Sequence, residues 1–436
     1  MKRDAYIQIL QLLGIFGLAI GVAYLSKPLT SSEKEPIVLG RAPHVGDKEP
    51  KNDSHLMRES FPKKTFYRPY HVVRNRKVEK SFPGITVFGV NDAQEVLLVN
   101  HRGTILKSWP IDADRAVFLP KFCNLLAIHG TVSGAKVEPW KSLRHVIREY
   151  NWQGQVAWEF RGEGILHHDV RRLSNGDTVV LEQARVPYAG NDSYPETLHM
   201  KTDGVRIVNE MSQIVWSWNL WEHASHDFCG IRECPTSQDS LLSKTEMKRR
   251  RDWSHSNTVS VIRENRWYDG GDDRFRPGNV MVHVRNFWMS FIIDRETKDI
   301  VWRFPTRRDI EQNPSLKIYG GHESRLIPPG LPGEGNMLIL DNGSVDVRPY
   351  SRVLEVNPVT RKIVWSYEDR EHFFTRTAGA VQRLPNGNTL ISEDLHGRVF
   401  EVTQIGEVVW EMKLPFRVSR AKRYSKPSPC FRSSEL

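Results

Sequence analysis

The chain has 436 residues, 39% apolar and 26% charged, with 30 Gly, 13 Trp and a formal charge of +10. That size allows a large buried core or several domains, and the absence of any long heptad pattern excludes a coiled coil in favour of strands and turns. Arg and Lys are scattered and no nucleic-acid-binding module is present, so the charge fits a solvated basic surface, an anionic substrate or an anionic membrane surface, not a nucleic-acid partner.

In chain order, residues 1–4, "MKRD", precede a run from Ala5 to Leu25 without a charged residue. A helix of that length rises about 30 Å, enough to cross a bilayer core. No small-x-small cleavage site follows, so 5–25 is expected to be an uncleaved signal anchor with Lys2 and Arg3 on the cytoplasmic side. The rest of the chain would then lie on the periplasmic or extracellular side. Residues 26–80 are polar and carry Pro28, Pro36, Pro43 and Pro50, which reads as a linker.

Residues 81–414 hold a repeat. Short β-branched runs end at Trp109, Trp158, Trp216, Trp302, Trp365 and Trp410, at spacings of 45 to 86 residues. Five of these runs follow a strand and a turn and read as antiparallel hairpins. Between them recur Gly-centred turns leading into apolar strands: "VRRLSNGDTVVLE", "PGNVMVHV", "GEGNMLILDNG" and "VQRLPNGNTLISE". The last unit reads as four strands, Ala380–Leu384, Thr389–Ser392, Arg398–Thr403 and Glu407–Met412. Six such units specify an all-β, six-bladed propeller of four-stranded blades. Two β-sandwiches would explain the alternation but not a Trp strand that always ends the unit. An insertion between Trp216 and Asp252 carries "LLSKTEMKRRRDW", a short helix or a lid. Cys229 and Cys234, within it, are spaced for a loop disulfide. Cys123 reads as core and Cys430 as unpaired, and no second close Cys pair completes a zinc site. Residues 415–436 read as a basic tail.

In a propeller the first strand of each blade lines the central channel, so residues just ahead of it gather at one mouth. Three units place histidines there: His167 and His168 in "GILHHDVRRLSNG", His255 in "DWSHSNTVSVI" and His322 in "GGHESRLIPPG". The last unit has Ala378 or Gly379 instead. Imidazoles there could ligate a metal, exchange protons or act as a nucleophile. Arg348 and Arg352 follow the strand led by His322, Arg376 precedes the last blade, and the amide of Asn257 can donate to an oxyanion. Together these make an anion pocket with titratable imidazoles.

On "DWSHSN", "GGHES…GNMLILDNG", "YSRVLEV" followed by "IVWSY", and "LPNGNTLIS…GRVFEV", the chain resembles the arylsulfotransferases, exported six-bladed propellers that move sulfate between phenols. The resemblance spans roughly residues 84–414. It implies that His255 and His322 assist catalysis and that Arg348 binds sulfate after "DNG", with Arg352 as its rival. The family's nucleophilic histidine lies in the last unit; "SEDLHGRVFEV" offers His396, with the register falling closer to Arg398. His168, Asn257, Arg376 and Arg398 complete the substrate-binding candidates. The implied reaction is ping-pong. His396 attacks an aryl sulfate, His255 or His322 protonates the leaving oxygen, Arg348 and His322 stabilise the sulfuryl charge, and a phenol accepts the group. No cofactor is implied, and no phosphate-cradling glycine loop is present. Two other readings stand beside it: a membrane-tethered propeller that binds an anionic ligand or protein partner without turnover, and a quinone- or metal-dependent oxidoreductase, which lacks an evident cofactor cradle.

Overall fold

The computed structural model describes residues 72–187, 199–232, 251–425 and 430–431. All belong to one compact unit, Ser60–Leu436. They form six antiparallel sheets whose inner strands pack against one another around a ring. Blade 1 is Val418–Tyr424, Ile85–Val90, Glu95–Asn100 and Ile105–Trp109, from the channel outward. Blade 2 is Arg115–Leu119, Asn124–Ile128, Val146–Tyr150 and Val156–Arg161; blade 3 is Ile165–Arg172, Thr178–Pro187, His199–Val208 and Ile214–Asn219. Blade 4 is Ser256–Val261, Val280–Val284, Met289–Ile293 and Ile300–Phe304; blade 5 is Glu323–Leu326, Met337–Asp341, Arg352–Val356 and Ile363–Glu368. Blade 6 is Ala380–Arg383, Thr389–Glu393, Arg398–Val402 and Val408–Lys413, with Val72–Arg76 added as a fifth, outermost strand. The expected six-bladed propeller is therefore present.

The core lies between neighbouring blades. Val259, Val282 and Phe291 of blade 4 pack with Val179, Val205 and Trp218 of blade 3 in one apolar cluster. Met281, Ile292 and Trp302 of blade 4 pack with Ile339 and Leu354 of blade 5 in another. A middle strand is thus covered on both faces, which is why Val280–Val284 and Met289–Ile293 are buried at every residue. Outermost strands keep one wet face: Ile363–Glu368 alternates between exposed and half-buried positions until Tyr367.

The recurring Trp has a specific task. Its indole Nε1–H donates to a carbonyl in the outer turn of the next blade: Trp109 to Asn151 at 3.2 Å, Trp158 to Glu210 at 2.9 Å and Trp216 to Arg295 at 2.9 Å. Trp302 reaches Pro358 at 3.1 Å, Trp365 reaches Gln404 at 2.7 Å, and Trp410 reaches His101 of blade 1 at 2.9 Å, closing the circle. A wide indole fills the diverging space between blades while its one donor fixes their spacing.

Three expectations change. The stretch 415–436 is more than a tail, because Val418–Tyr424 is the inner strand of blade 1 and is buried until its last residue. Its basic residues are buried in ion pairs, Lys422 with Glu323 of the inner strand of blade 5 and Arg423 with Glu401 of blade 6. Within the expected linker 26–80, Val72–Arg76 pairs with Val408–Lys413. Cys430 is not unpaired and Cys123 is not a free core thiol: they form a disulfide, 307 residues apart in sequence. It ties the end of the chain to blade 2 and so braces the closing strand. Cys229 is also disulfide-bonded; its expected partner Cys234, the segment 241–250 of the insertion and the apolar run 5–25 lie outside the described residues. Among the described residues no helix is long and apolar enough to cross a membrane.

Candidate active site

All blades wind in the same sense, so the six inner strands begin at one mouth of the channel. At that point the backbone turns left-handed at His168 (φ 58°), His255 (φ 51°), Ala378 (φ 60°) and Arg420 (φ 42°). For a residue with a Cβ this conformation costs about 1–3 kcal/mol, and such strain gathers at functional sites. Blades 1, 3 and 4 also shift register here, between Val87 and Gly89, between Val180 and Leu181, and between Ser256 and Thr258. A bulge of this kind re-aims a side chain at the start of a strand.

His168 and His255 stand with ring centroids 4.9 Å apart, edge to face. His322 is close enough to interact electrostatically with both. The three imidazoles expected at one mouth are there together.

Each ring is fixed differently. His322 is buried, and its Nδ1 lies 2.9 Å from Gly320 O and 2.8 Å from Asn342 Oδ1. The Asn342 amide nitrogen donates to Thr375 O and Ala378 O, which leaves only its oxygen to face the ring. Both neighbours of Nδ1 are acceptors, so Nδ1 carries the proton and Nε2 the lone pair. Burial, with Arg285 and Arg420 adding to it, holds the His322 pKa well below the usual imidazole range. The ring is a neutral base and a potential nucleophile. Its backbone is clamped from blade 4: Thr258 Oγ1 donates to His322 O at 3.0 Å, and Gly321 O accepts from His283 Nε2 at 2.9 Å and Asn257 Nδ2 at 3.3 Å. A Cβ on Gly321 would stand 2.9 Å from His283 Nε2 and 3.0 Å from Leu340 O, so this approach needs glycine.

His255 Nδ1 lies 2.7 Å from Asp252 Oδ2. Burial alone would raise the Asp252 carboxyl, but the hydrogen bond and charge of His255 outweigh it and the net shift is downward. Asp252 is therefore an anion that orients His255 through its Nδ1. His168 Nδ1 sits 2.6 Å from His167 Nδ1, and His167 Nε2 is 3.1 Å from Asp203. Burial, reinforced by His167, His255, Arg420 and His322, keeps His168 neutral. Asp203 also accepts from Ser254 Oγ and the Ser256 amide, so one carboxylate positions blades 3 and 4 together.

Two arginines that the sequence reading did not single out complete the mouth. Arg420 is 5% exposed, and neither terminal guanidinium nitrogen has a hydrogen-bond partner among the described residues. Its amide is held by Asp394, whose carboxyl burial pushes up to about 6. Arg285 follows the second strand of blade 4; its amide donates to His255 O at 3.3 Å and its Nε is likewise unpartnered. Buried guanidinium donors without acceptors, facing imidazoles, are the elements of a tetrahedral-anion site. Counting units could have found Arg420: six Trp anchors require six inner strands, and "VSRAKRY" is the alternating segment left over. Arg285 occupies the turn that carries Asn342 in blade 5 and Asp394 in blade 6, a correspondence seen only once the strands are aligned.

The remaining expected residues have other environments. Asn257 spends its amide on Gly321 O instead of facing an oxyanion, while its Oδ1 is buried without a partner among the described residues. Arg348 and Arg352 both bind the buried Asp341 carboxylate, at 2.5 and 2.9 Å, and Arg352 also donates to Ser315 O and Lys317 O. Arg376 is exposed. Arg398 is bound to Glu411, Glu393 and His372 O. His396 is 53% exposed and pairs with Glu393 at 2.8 Å, with no contact to the three imidazoles among the described residues. Those five basic positions follow strand ends and turns in sequence, where a basic side chain is as easily bound to its own blade as offered to the channel. Among the described residues no three His, Cys, Asp or Glu side chains stand in a metal-binding arrangement.

Comparison with known proteins agrees with this geometry in one respect. No curated protein matches the chain in sequence. Solved structures with a similar fold include a protein of unknown function from Bacteroides caccae (11% identity, 78% of this chain and 99% of that one, TM-score 0.48). They also include a streptogramin B lyase (9%, 81% and 98%, 0.41) and the virginiamycin B lyase from Staphylococcus aureus (8%, 83% and 75%, 0.32). These likenesses are too distant to speak to chemistry. The sequence profile described as Arylsulfotransferase (ASST) matches residues 145–415, which contain blades 3 to 5, four strands of blade 6 and His168, His255 and His322. The chain belongs to the arylsulfotransferase family.

Proposed function

We propose that the channel mouth transfers a sulfuryl group from an aryl sulfate to a phenol, with His322 as the nucleophile. The observation that carries the reading is the pairing of a lone pair fixed on His322 Nε2 with the buried terminal guanidinium nitrogens of Arg420, which have no partner among the described residues. In the first half, Nε2 attacks sulfur and forms an N–S bond as the bond from sulfur to the aryl oxygen breaks. The leaving oxygen takes the Nε2 proton of His255, whose imidazolium Asp252 supports. Arg420 and Arg285 neutralise the charge on the sulfuryl oxygens, the electrostatic effect that contributes most in reactions of this kind. In the second half, His255 accepts the proton of the incoming phenol as its oxygen attacks sulfur, the N–S bond breaks and both histidines return to their starting states.

Asn342 and Gly320 offer His322 neutral acceptors, not a carboxylate. A sulfated ring would therefore keep its positive charge and stay a good leaving group. This choice of partner favours turnover over storage of the group. Incubation with a chromogenic aryl sulfate and a phenol acceptor tests the proposal. Phenol release should require His322, His255 and Arg420 and be indifferent to His396→Gln; release that persists in the His322→Gln protein contradicts it.

The uncharged run Ala5–Leu25 and the Cys123–Cys430 disulfide favour a chain anchored in a membrane by its N-terminal segment, with the propeller in an oxidising compartment outside it. Alkaline extraction tests this: the protein should stay with the membrane pellet, and removal of residues 1–25 should release it.

A further inference from the structure

A few residues along the same inner strands, past the imidazoles, a second layer of charge lines the channel. Four cations, Arg115, Arg171, Arg325 and Lys422, face two carboxylates, Asp169 and Glu323. Each carboxylate is already shared. Asp169 takes Arg115 at 3.2 Å, Arg325 at 2.8 Å and the Val259 amide at 3.0 Å. Glu323 takes Arg325, Lys422 at 2.7 Å and the Val381 amide at 3.2 Å. Arg171 is left 3.9 Å from both, beyond hydrogen-bond length, and its Nε has no acceptor among the described residues. Arg325 Nη1 is buried and also without one.

This layer therefore holds two formal positive charges more than its carboxylates balance. Glu323 and Asp169 are fully buried and the Arg115 side chain is 2% exposed, so water reaches the excess charge mainly at Arg171, the open edge of the group. Burial, with Arg115 and Arg171 adding to it and Glu323 opposing, pulls the Lys422 amine down to about 8. The Arg171 side chain, 31% exposed, leaves the group open to solvent.

We propose that this layer is a second anion site, distinct from the channel mouth, in which an oxyanion of the sulfate or phosphate class is held by Arg171 and Arg325. Guanidinium forks match the paired oxygens of such ions, and two unused N–H groups stand ready for them. The bound ion restores charge balance in the channel and so stabilises the ring of blades. It takes no part in the transfer reaction.

Equilibrium dialysis of the full chain against labelled sulfate, and separately against phosphate, at ionic strength matched with chloride, tests this. Comparing the two ions identifies which the site prefers. With Arg420→Gln and Arg285→Gln together removing the anion donors at the mouth, one oxyanion should remain bound per chain. Adding Arg171→Gln should weaken that binding about tenfold or more, the scale of a lost charge-assisted hydrogen bond. In the otherwise unaltered chain, which needs no change at the mouth, Arg171→Gln should reduce the number of bound oxyanions by one. If the mouth binds no sulfate, that count falls from one to none, so failure of the mouth assignment is read apart from failure of this site. Binding that is unchanged by Arg171→Gln, or no oxyanion bound in the Arg420→Gln/Arg285→Gln protein, overturns the proposal.

Discussion

Asn342 Oδ1 lies 2.8 Å from Nδ1 of His322, and its own amide nitrogen is committed to two backbone carbonyls. That arrangement selects one tautomer and keeps the partner of the ring neutral. Asn342→Asp puts a carboxylate in its place, which should stabilise a positively charged, sulfated His322. The expected result is a burst of phenol release that outlasts a slowed transfer to the acceptor. Asn342→Leu removes the constraint on the tautomer and should lower kcat/KM about a hundredfold, as loss of a correctly protonated catalytic group does. Stopped-flow release of a chromogenic phenol, with and without acceptor, separates the two variants.

Trp410 donates to His101 across the join between the last blade and the first. Trp410→Phe keeps most of the packing but leaves a carbonyl without its donor and should lower stability by about 1–3 kcal/mol. Trp410→Ala, at a side chain with no exposure, should lower it by about 3–5 kcal/mol. Denaturant unfolding monitored by circular dichroism measures both, and a smaller effect at Trp410 than at the 45%-exposed Val156 would contradict the role assigned to the indole staple.

The same six tryptophans made the fold readable from the sequence, because each strand that ends a blade must carry the residue that grips the next one. His168, His255 and His322 were readable for a related reason: each stands at the same point of its repeat. Arg420 was hidden because its strand returns from the far end of the chain to complete blade 1, and its Arg and Lys side chains are buried against charged partners, Lys422 on Glu323 and Arg423 on Glu401, instead of an apolar core. Such a strand has the composition of a tail. His396, Arg348 and Arg352 misled for the opposite reason: their sequence positions suit an active site, and only the structure shows that each is paired with a carboxylate of its own blade, Glu393 or Asp341.

The Cys123–Cys430 disulfide closes most of the chain into one loop and holds the end of the closing strand against blade 2. Cys430→Ser should lower stability by about 2–5 kcal/mol, and blade 1 should open first. Hydrogen exchange should show the largest gain in residues 418–424, with transfer activity kept at temperatures where the ring stays closed. Equal gains in all six inner strands would contradict a local brace.

His283 is buried against Gly321 and Ser290, and burial lowers its pKa to about 4. The unfolded chain binds this proton below about pH 6.5, while the folded chain resists it until about pH 4. The stability it contributes is present above pH 6.5 and is lost as the pH falls toward 4, by about 3 kcal/mol in all. His283→Gln should flatten that part of the stability curve, and a curve with the original slope would contradict the assignment.

The account turns on which histidine receives the sulfuryl group. Brief reaction with labelled aryl sulfate in the absence of acceptor, an alkaline quench and peptide mapping locate it. The label should appear on the peptide containing His322, persist in the His396→Gln protein and be absent after His322→Gln. Label on His396, or full transfer by the His322→Gln protein, would contradict the account.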